Sequence, residues 1–384
     1  MIVTQTRHVW TASQAAMFLA DDRYRSIAAH GFRFLREKLW DHEYGGFYML
    51  RDRAGGPVAF SYQEEKRAYG NAFAIYALAA YYKMSGDPAA LQLAQETFLW
   101  LEQHSHDPVQ RGYCEHLARN GDRLRRGEST TKAWDAPSIG WQDQNSAIHL
   151  LEAFTALYHV WPDSLLRRRL EEMLTLVRDV IVDPRGFLIL YFQDGWRPVS
   201  FRDSCAAVRQ ANFRFDHISF GHDIETAYLL LEAADALGMP ADPLTLAVAK
   251  RLVDHALAHG WDESNGGLYD RGYYFAGSDT LTIISKAKVW WVQAEALNAL
   301  LLMAQLFPQE AGYRRAFQKQ WAYIDKFLID HKHGEWYEEG LDHSPEQVHA
   351  PKARDWKVNY HNARALMNCI KMLQAEQEAG PDLR

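Results

Sequence analysis

Three histidines sit near the starts of three helix-like stretches, each in polar company. His149 stands in Gln144-Asn145-Ser146-Ala147-Ile148-His149-Leu150-Leu151-Glu152, His222 in Gly221-His222-Asp223-Ile224-Glu225, and His361 in Trp356-Lys357-Val358-Asn359-Tyr360-His361-Asn362-Ala363-Arg364. A fourth stretch, Lys288-Val289-Trp290-Trp291-Val292-Gln293-Ala294-Glu295, brings two indoles and a carboxylate. An imidazole has an unperturbed pKa of about 6.5, so it can take or give a proton near neutral pH. Three of them, with Glu225 and Glu295 close by in sequence, make a candidate proton-transfer site. His149 with Glu152, and His222 with Glu225, are three residues apart and share a helical face; Asn145 and His149 do so at four. The blander readings stand beside this one. A lone histidine at a helix start is more often a cap or a satisfied core group, a lone tryptophan is packing, and Glu152 serves equally well in a helix–helix hydrogen bond. The two His-x-x-Glu pairs also suit a carboxylate–imidazole metal centre.

The elements that must hold these groups repeat. A turn recurs as WDHEYGGFYML (40–50), DPVQRGYCEHL (107–117), VDPRGFLILYF (182–192), WDESNGGLYDRGY (261–273) and DHKHGEWYEEGL (330–341). Each pairs a polar stretch and a glycine with an aromatic segment, the pattern of a short hairpin. The marker glycines Gly46, Gly112, Gly186, Gly267 and Gly334 are 66, 74, 81 and 67 residues apart, room for two helices per interval. Apolar periodicity predicts those helices at 12–38, 66–84, 88–103, 143–160, 163–180, 219–237, 243–259, 286–306, 310–328 and 358–376. One helix of each pair starts with aromatic, His, Asn and Glu residues; its partner, such as LLRRRLEEMLTLVRDVI, has an Arg/Glu face and a Leu face, as an outer helix should. The expected architecture is all-α: helical hairpins in a ring, an α/α barrel within a single domain of residues 1–384, with short β-hairpins in the connecting loops. The polar starts would line one mouth.

With 384 residues, 48% hydrophobic, the chain can bury a large core. It has no run of about eighteen apolar residues and no signal-peptide pattern at its start, so a soluble cytoplasmic protein without a membrane partner is expected. Cys114, Cys205 and Cys369 are too few and scattered for a disulfide framework. A net charge of −7 without a basic block argues against nucleic acid. Thirteen Trp and nineteen Tyr suit the apolar faces of sugars, although bulky rings also simply fill large cores.

SFGHDIETAYLL (219–230), KVWWVQAEAL (288–297) and WKVNYHNARAL (356–366) resemble signature segments of the N-acylglucosamine 2-epimerase superfamily, especially its cellobiose 2-epimerase and mannose 2-epimerase branch. NSAIHLLEAFTALYHVWPD (145–163) is similar to another shared segment, and the likeness runs from about residue 30 to 375. The resemblance implies an (α/α)6 barrel, its sixth repeat included, with a central pocket. It places His222 and His361 on either side of C2 of an open-chain aldose and makes His149 a third pocket imidazole. Asn145, Glu225, Trp291, Glu295 and Trp356 match positions that hold the sugar or orient the histidines. In that setting His222 is a base on one face, Glu225 fixes its ring or binds a hydroxyl, Gly221 leaves space for substrate, and Asp223 points away, favouring the helix N-terminus.

The chemistry expected is removal of the C2 proton to give an enediolate, then its return. Return on the opposite face interconverts D-mannose and D-glucose, with cellobiose or mannobiose as further candidates; delivery to C1 gives a ketose, as a mannose isomerase would. Neither route needs a nicotinamide or a metal, so no cofactor is expected, and the chain has no GxxxxGK[ST] loop. Two departures favour free hexoses. Disaccharide epimerases of the family commonly carry an Arg on the first inner helix, where KRAYGNAFAIYALAAYY (66–82) places Phe73, with Lys66 and Arg67 as nearby cations, and a Trp where Tyr228 stands. Two other classes remain. An inverting glycosidase could use Glu225 and Glu295, leaving the histidines surplus, and a protein-binding member would need no turnover. A monomer and a homodimer are both compatible with the sequence.

Overall fold

The computed structural model describes residues 1–58, 64–126 and 136–378. Among these, twelve α-helices carry the fold: α1 (Ile2–Leu19), α2 (Asp22–Phe34), α3 (Ala68–Ser85), α4 (Pro88–His104), α5 (Gln144–Tyr158), α6 (Ser164–Leu176), α7 (Ala206–Asp216), α8 (Phe220–Ala236), α9 (Pro243–Gly260), α10 (Trp290–Leu306), α11 (Ala311–Phe327) and α12 (Tyr360–Glu378). Ten short strands lie in the connections: β1 (Lys66–Arg67), β2 (His116–Leu117), β3 (Gln142–Asp143), β4 (Val182–Asp183), β5 (Phe187–Leu188), β6 (Tyr191–Gln193), β7 (Arg197–Pro198), β8 (Ile218–Ser219), β9 (Arg271–Tyr274) and β10 (Leu281–Ser285). They pair antiparallel as β1–β2, β4–β5, β3–β6–β7 and β8–β9–β10. The residues group into two compact units, one of 1–181, 190–199 and 232–240, the other of 182–189, 200–231 and 241–384.

Two kinds of helix alternate, for the reason the sequence suggests. α3 is buried on nearly every side, whereas α11 buries only Tyr313, Gln320, Tyr323 and Ile324. A helix apolar all round must be enclosed, and one with a single apolar stripe covers it. In the first unit α1, α3 and α5 pack side by side, backed by α2, α4 and α6; in the second, α10 packs on α11 and α12.

The first helical prediction needs correction. Residues 12–38 are two helices, not one: Ala20 turns left-handed at φ 52° and Asp21 caps the second by accepting the Arg23 N–H at 2.9 Å. Apolar periodicity carries on across the break, which hides it. Helix α1 therefore begins ten residues earlier, at Ile2, and belongs to the buried, polar-starting set. That set has six members among the described residues, α1, α3, α5, α8, α10 and α12. Helix α7 is an addition that periodicity missed; of its residues only Phe215 is buried.

The five turns form as expected, and one device builds them all. Asp41, Asp107, Asp183, Asp262 and Asp330 each accept, through Oδ1, the N–H two residues on, at 2.8–3.0 Å. Four to five residues later in four of them, and three in the other, the marker glycines all take positive φ, 72–100°, which only glycine adopts without strain. Three of the buried helices then latch a turn. Asn71 Oδ1 accepts the Phe47 N–H, Asp223 Oδ1 that of Leu188 and Gln293 Oε1 that of Leu268, at 2.8–2.9 Å. Buried lysines add a second tie: Lys66 to Asp41 and the Gly45 carbonyl, Lys288 to Asp262 and the Gly266 carbonyl.

Gln293 also donates to the Leu268 carbonyl at 2.8 Å. Gln293→Ala strands both backbone groups in the interior and should cost about 2–5 kcal/mol, read as a lower denaturant midpoint with unchanged helix content. Acid should weaken the fold through histidines buried neutral. Burial first, then His259 and Arg185, hold the His255 imidazole down at about 4 against 6.5, and burial keeps His116 well below its ordinary value. The unfolded chain takes protons that the folded one refuses, so stability is full above pH 6.5 and falls toward pH 4; melting temperatures measured across that window should drop, and by less in His255→Gln.

Candidate active site

The second unit assembles its titratable groups from the ends of four elements. Strand β8 turns directly into α8, so Ser219 sits one turn before His222 and its Oγ lies 2.9 Å from His222 Nδ1. Helix α10 supplies Trp291 and Glu295, and α12 supplies Tyr360, His361 and Arg364. The Trp291 ring centre lies 4.8 Å from that of His222 and 5.6 Å from that of His361. Two imidazoles from helices well apart in sequence thus border one indole.

Behind His361 is a charge network closed to water. Glu295 is 0% exposed, Glu225 1% and Arg364 3%. His361 Nδ1 lies 2.5 Å from Glu295 Oε1; Arg364 Nη2 donates to the same oxygen at 2.8 Å and to Glu225 Oε1 at 2.5 Å; the Tyr228 hydroxyl donates to Glu295 Oε2 at 2.6 Å. Arg364 also donates to the Tyr360 hydroxyl. Burial by itself would push the Glu295 carboxyl up, but the Arg364 guanidinium and the His361 hydrogen bond outweigh it and hold the group well below the ordinary carboxylate range. An ionised carboxylate accepts only, so Nδ1 of His361 carries hydrogen and Nε2 of the neutral ring carries the lone pair. That is the arrangement of an oriented general base.

The ligand atoms of Glu225, Glu295 and His361 lie within 4.8 Å of one another, close enough to share a metal ion. Arg364 donates to both carboxylates, so a cation already bridges them, and a divalent ion would have to displace it.

Several sequence expectations are revised. Glu225 meets Arg364 at 2.5 Å, and Ser219 Oγ lies within hydrogen-bond distance of the His222 ring, two partners that the His-x-x-Glu spacing did not announce. His149 Nδ1 does meet Glu152 Oε2, at 2.9 Å, with both side chains buried in the first unit. Gly221 does not leave room for substrate. A Cβ there would come within 2.5 Å of Trp291, so the glycine admits the indole. Asp223 is 0% exposed and latches Leu188 rather than serving an exposed helix end; burial raises its carboxyl well above the usual range. Asn145 is half-buried in the first turn of α5, its Oδ1 without a hydrogen-bond partner among the described residues, and Trp356 is half-buried just before α12.

The cation sought near Phe73 is neither Lys66, locked to Asp41, nor Arg67, which faces Glu65 and Glu115. The cation that does lie over Phe73 is Arg7 of α1, 5% exposed, its guanidinium 4.6 Å from the ring centre and hydrogen-bonded to the Tyr69 hydroxyl at 3.1 Å. The first buried helix is α1, not α3, and the polar start Thr4-Gln5-Thr6-Arg7-His8 is the sequence signal for it. Phe73 and Tyr69 flank His149, with ring centres 4.7 and 5.3 Å away.

The N-acylglucosamine 2-epimerase family model matches residues 1–365. The chain belongs to this family. The cellobiose 2-epimerase of Bacteroides fragilis is 30% identical over 375 residues, 97% of this chain and 86% of its own length. The D-mannose isomerase of Thermobifida fusca is 29% identical over 317 residues, covering 82% and 71%. The solved cellobiose 2-epimerase of Bacillus thermoamylovorans superposes with a TM-score of 0.81 at 26% identity, over 96% of this chain and 87% of that one. This N-acylglucosamine 2-epimerase family member is thus an all-α, (α/α)6-barrel enzyme of the carbohydrate epimerase and isomerase class. Among the described residues no helix is long and apolar enough to cross a membrane.

If Glu295 fixes the His361 tautomer, Glu295→Gln should lower kcat on the best aldose by about a hundredfold or more, and Tyr228→Phe, losing one supporting hydrogen bond, by about tenfold. Steady-state assays beside circular dichroism check both.

Proposed function

We propose that the enzyme interconverts D-mannose and D-glucose by moving the C2 proton between His222 and His361. The observation that carries this reading is that both rings border Trp291 while each Nδ1 has its own partner, Ser219 or Glu295. A hydrogen on the carbon next to an aldehyde is weakly acidic. One neutral imidazole takes it, leaving an enediolate and an imidazolium; the second, already protonated, gives its proton to the opposite face of the same carbon. The product is the C2 epimer, and the two imidazoles have exchanged protonation states. Trp291 offers an apolar wall beside the reacting carbon. Asn145 and His149 on α5, and Trp356, keep the sugar-holding roles that the family resemblance implies.

Finding Arg7 on the first buried helix removes one of the two sequence arguments against disaccharides, so cellobiose and mannobiose return as substrates to test; Tyr228 is the departure that remains. One feature favours a second reading. The Glu295 carboxylate backs His361 as a strong base. A single strong base that returns the proton to C1 would make fructose instead, and the resemblance to a D-mannose isomerase points the same way.

Proton NMR of mannose, glucose, fructose and cellobiose incubated with the enzyme in deuterated water separates these outcomes. Mannose should give glucose with deuterium at C2 and little fructose. Predominant fructose would establish the isomerase reading, and cleavage of cellobiose would make the protein a glycosidase. His222→Asn and His361→Asn should each keep the fold and abolish exchange at C2; exchange surviving in either removes that residue from the mechanism.

A further inference from the structure

In the first unit two carboxyl groups meet on one hydroxyl. Ser146 Oγ lies 2.9 Å from Glu115 Oε2 and 2.7 Å from Asp143 Oδ2. A serine hydroxyl has a single hydrogen to donate. It can donate to one carboxylate; the contact with the other is a hydrogen bond only if that carboxyl carries a proton of its own. Both groups also hold helix starts. Glu115 Oε2 accepts the Tyr69 N–H in the first turn of α3, and Asp143 Oδ1 accepts the Ser146 N–H in the first turn of α5, both at 2.8 Å.

The surroundings say which carboxyl holds the proton. Facing Glu115 are Arg67 from β1, its Nη1 3.7 Å from Oε1, Asp143 from β3, the Ser146 hydroxyl from α5 and the Tyr69 N–H from α3. Burial, and next the Asp143 charge, push the Glu115 carboxyl up to about 8; the Arg67 guanidinium pulls the other way without prevailing. The neighbouring His116 is kept neutral by burial and by Arg67. Asp143 is only half-buried and caps α5 by accepting the Ser146 N–H.

We propose that Glu115 and Asp143 share one proton through Ser146 and that this proton-loaded clamp positions the first turn of α5, with Asn145 and His149, for the sugar reaction. The positioning role rests on the function proposed above; the clamp itself does not. The order is Glu115 O–H to Ser146 O–H to Asp143 carboxylate. Losing the proton leaves two anions competing for one hydroxyl, and the link between α3 and α5 opens. Glu115 is thus a positioning residue rather than a catalytic one.

The test compares the full-length wild type with Glu115→Gln, which cannot ionise, and with Asp143→Asn, which still caps α5 but removes the neighbouring charge. Infrared difference spectra of wild type minus Glu115→Gln, in which the buried Asp223 carboxyl cancels, should show the carbonyl stretch of a neutral carboxylic acid at pH 7, lost as pH rises through about 8. The band should be diminished in Glu115→Gln, and its Glu115 part should vanish at lower pH in Asp143→Asn. Between pH 4.5 and about 8 the folded protein holds a proton that the unfolded chain releases, so this contribution to stability is complete below 4.5 and lost as pH rises through 8. The melting temperature of the wild type relative to Glu115→Gln should therefore fall across that window and level off above it. For the wild type, kcat/KM should drop up to about tenfold per pH unit above 8, a limb that Glu115→Gln flattens. A band undiminished in Glu115→Gln, an unmoved midpoint in Asp143→Asn or a stability difference independent of pH overturns the clamp. An alkaline limb unchanged in Glu115→Gln overturns the positioning role. If the wild type turns over no aldose, the function fails, while the band and the stability difference still judge the clamp.

Discussion

The site depends on one guanidinium. Two carboxyl groups, Glu225 and Glu295, are buried side by side, and a charge on such a group costs several kcal/mol in desolvation. Arg364 lies within hydrogen-bond reach of both and offsets that cost. Because it does so, Glu295 stays ionised in the dry interior, and only an ionised Glu295 fixes the hydrogen of His361 on Nδ1. The proton chemistry of one residue on α12 is therefore set by another one turn along the same helix, through a carboxylate borrowed from α10. A lysine could not reproduce this. Its single ammonium lacks the planar fork that meets Glu225, Glu295 and Tyr360 together.

Much of the fold was legible because its signals are local. Helical periodicity, the Asp and Gly of each turn and the contrast between enclosed and one-faced helices are all written within a dozen residues. What escaped was non-local or masked. The break at Ala20 and Asp21 lies inside an unbroken apolar pattern, so α1 merged with α2 and Arg7 fell outside the helices considered. With α1 missed, the ring lacked a member, and the search for a cation was directed to Phe73 on the second buried helix.

The site divides in the same way. Residue types singled out His222, His361 and Glu295 as candidates only in combination, since each alone has a blander use at a helix start. Partnerships could not be read so. His222 and Glu225 have the spacing of His149 and Glu152, yet that spacing gives no hint of Arg364, which reaches Glu225 from another helix. Gly221 illustrates a related limit. A glycine announces a close approach without naming what approaches, and here it is the Trp291 indole. Asp223 shows the reverse: a titratable group beside a candidate base, committed to holding a backbone amide.

The turns carry a consequence for how such a ring can vary. Each Asp–Gly turn closes on itself, and in three of the five Asn71, Asp223 or Gln293 grips it at the amide one or two residues beyond the glycine. The chain between that grip and the following glycine is under no such constraint, which is why the marker spacing can stretch from 66 to 81 residues without disturbing the joint. An extra segment such as α7, which buries only Phe215, can be spliced into such an interval as an interchangeable insert, leaving the joint unaltered.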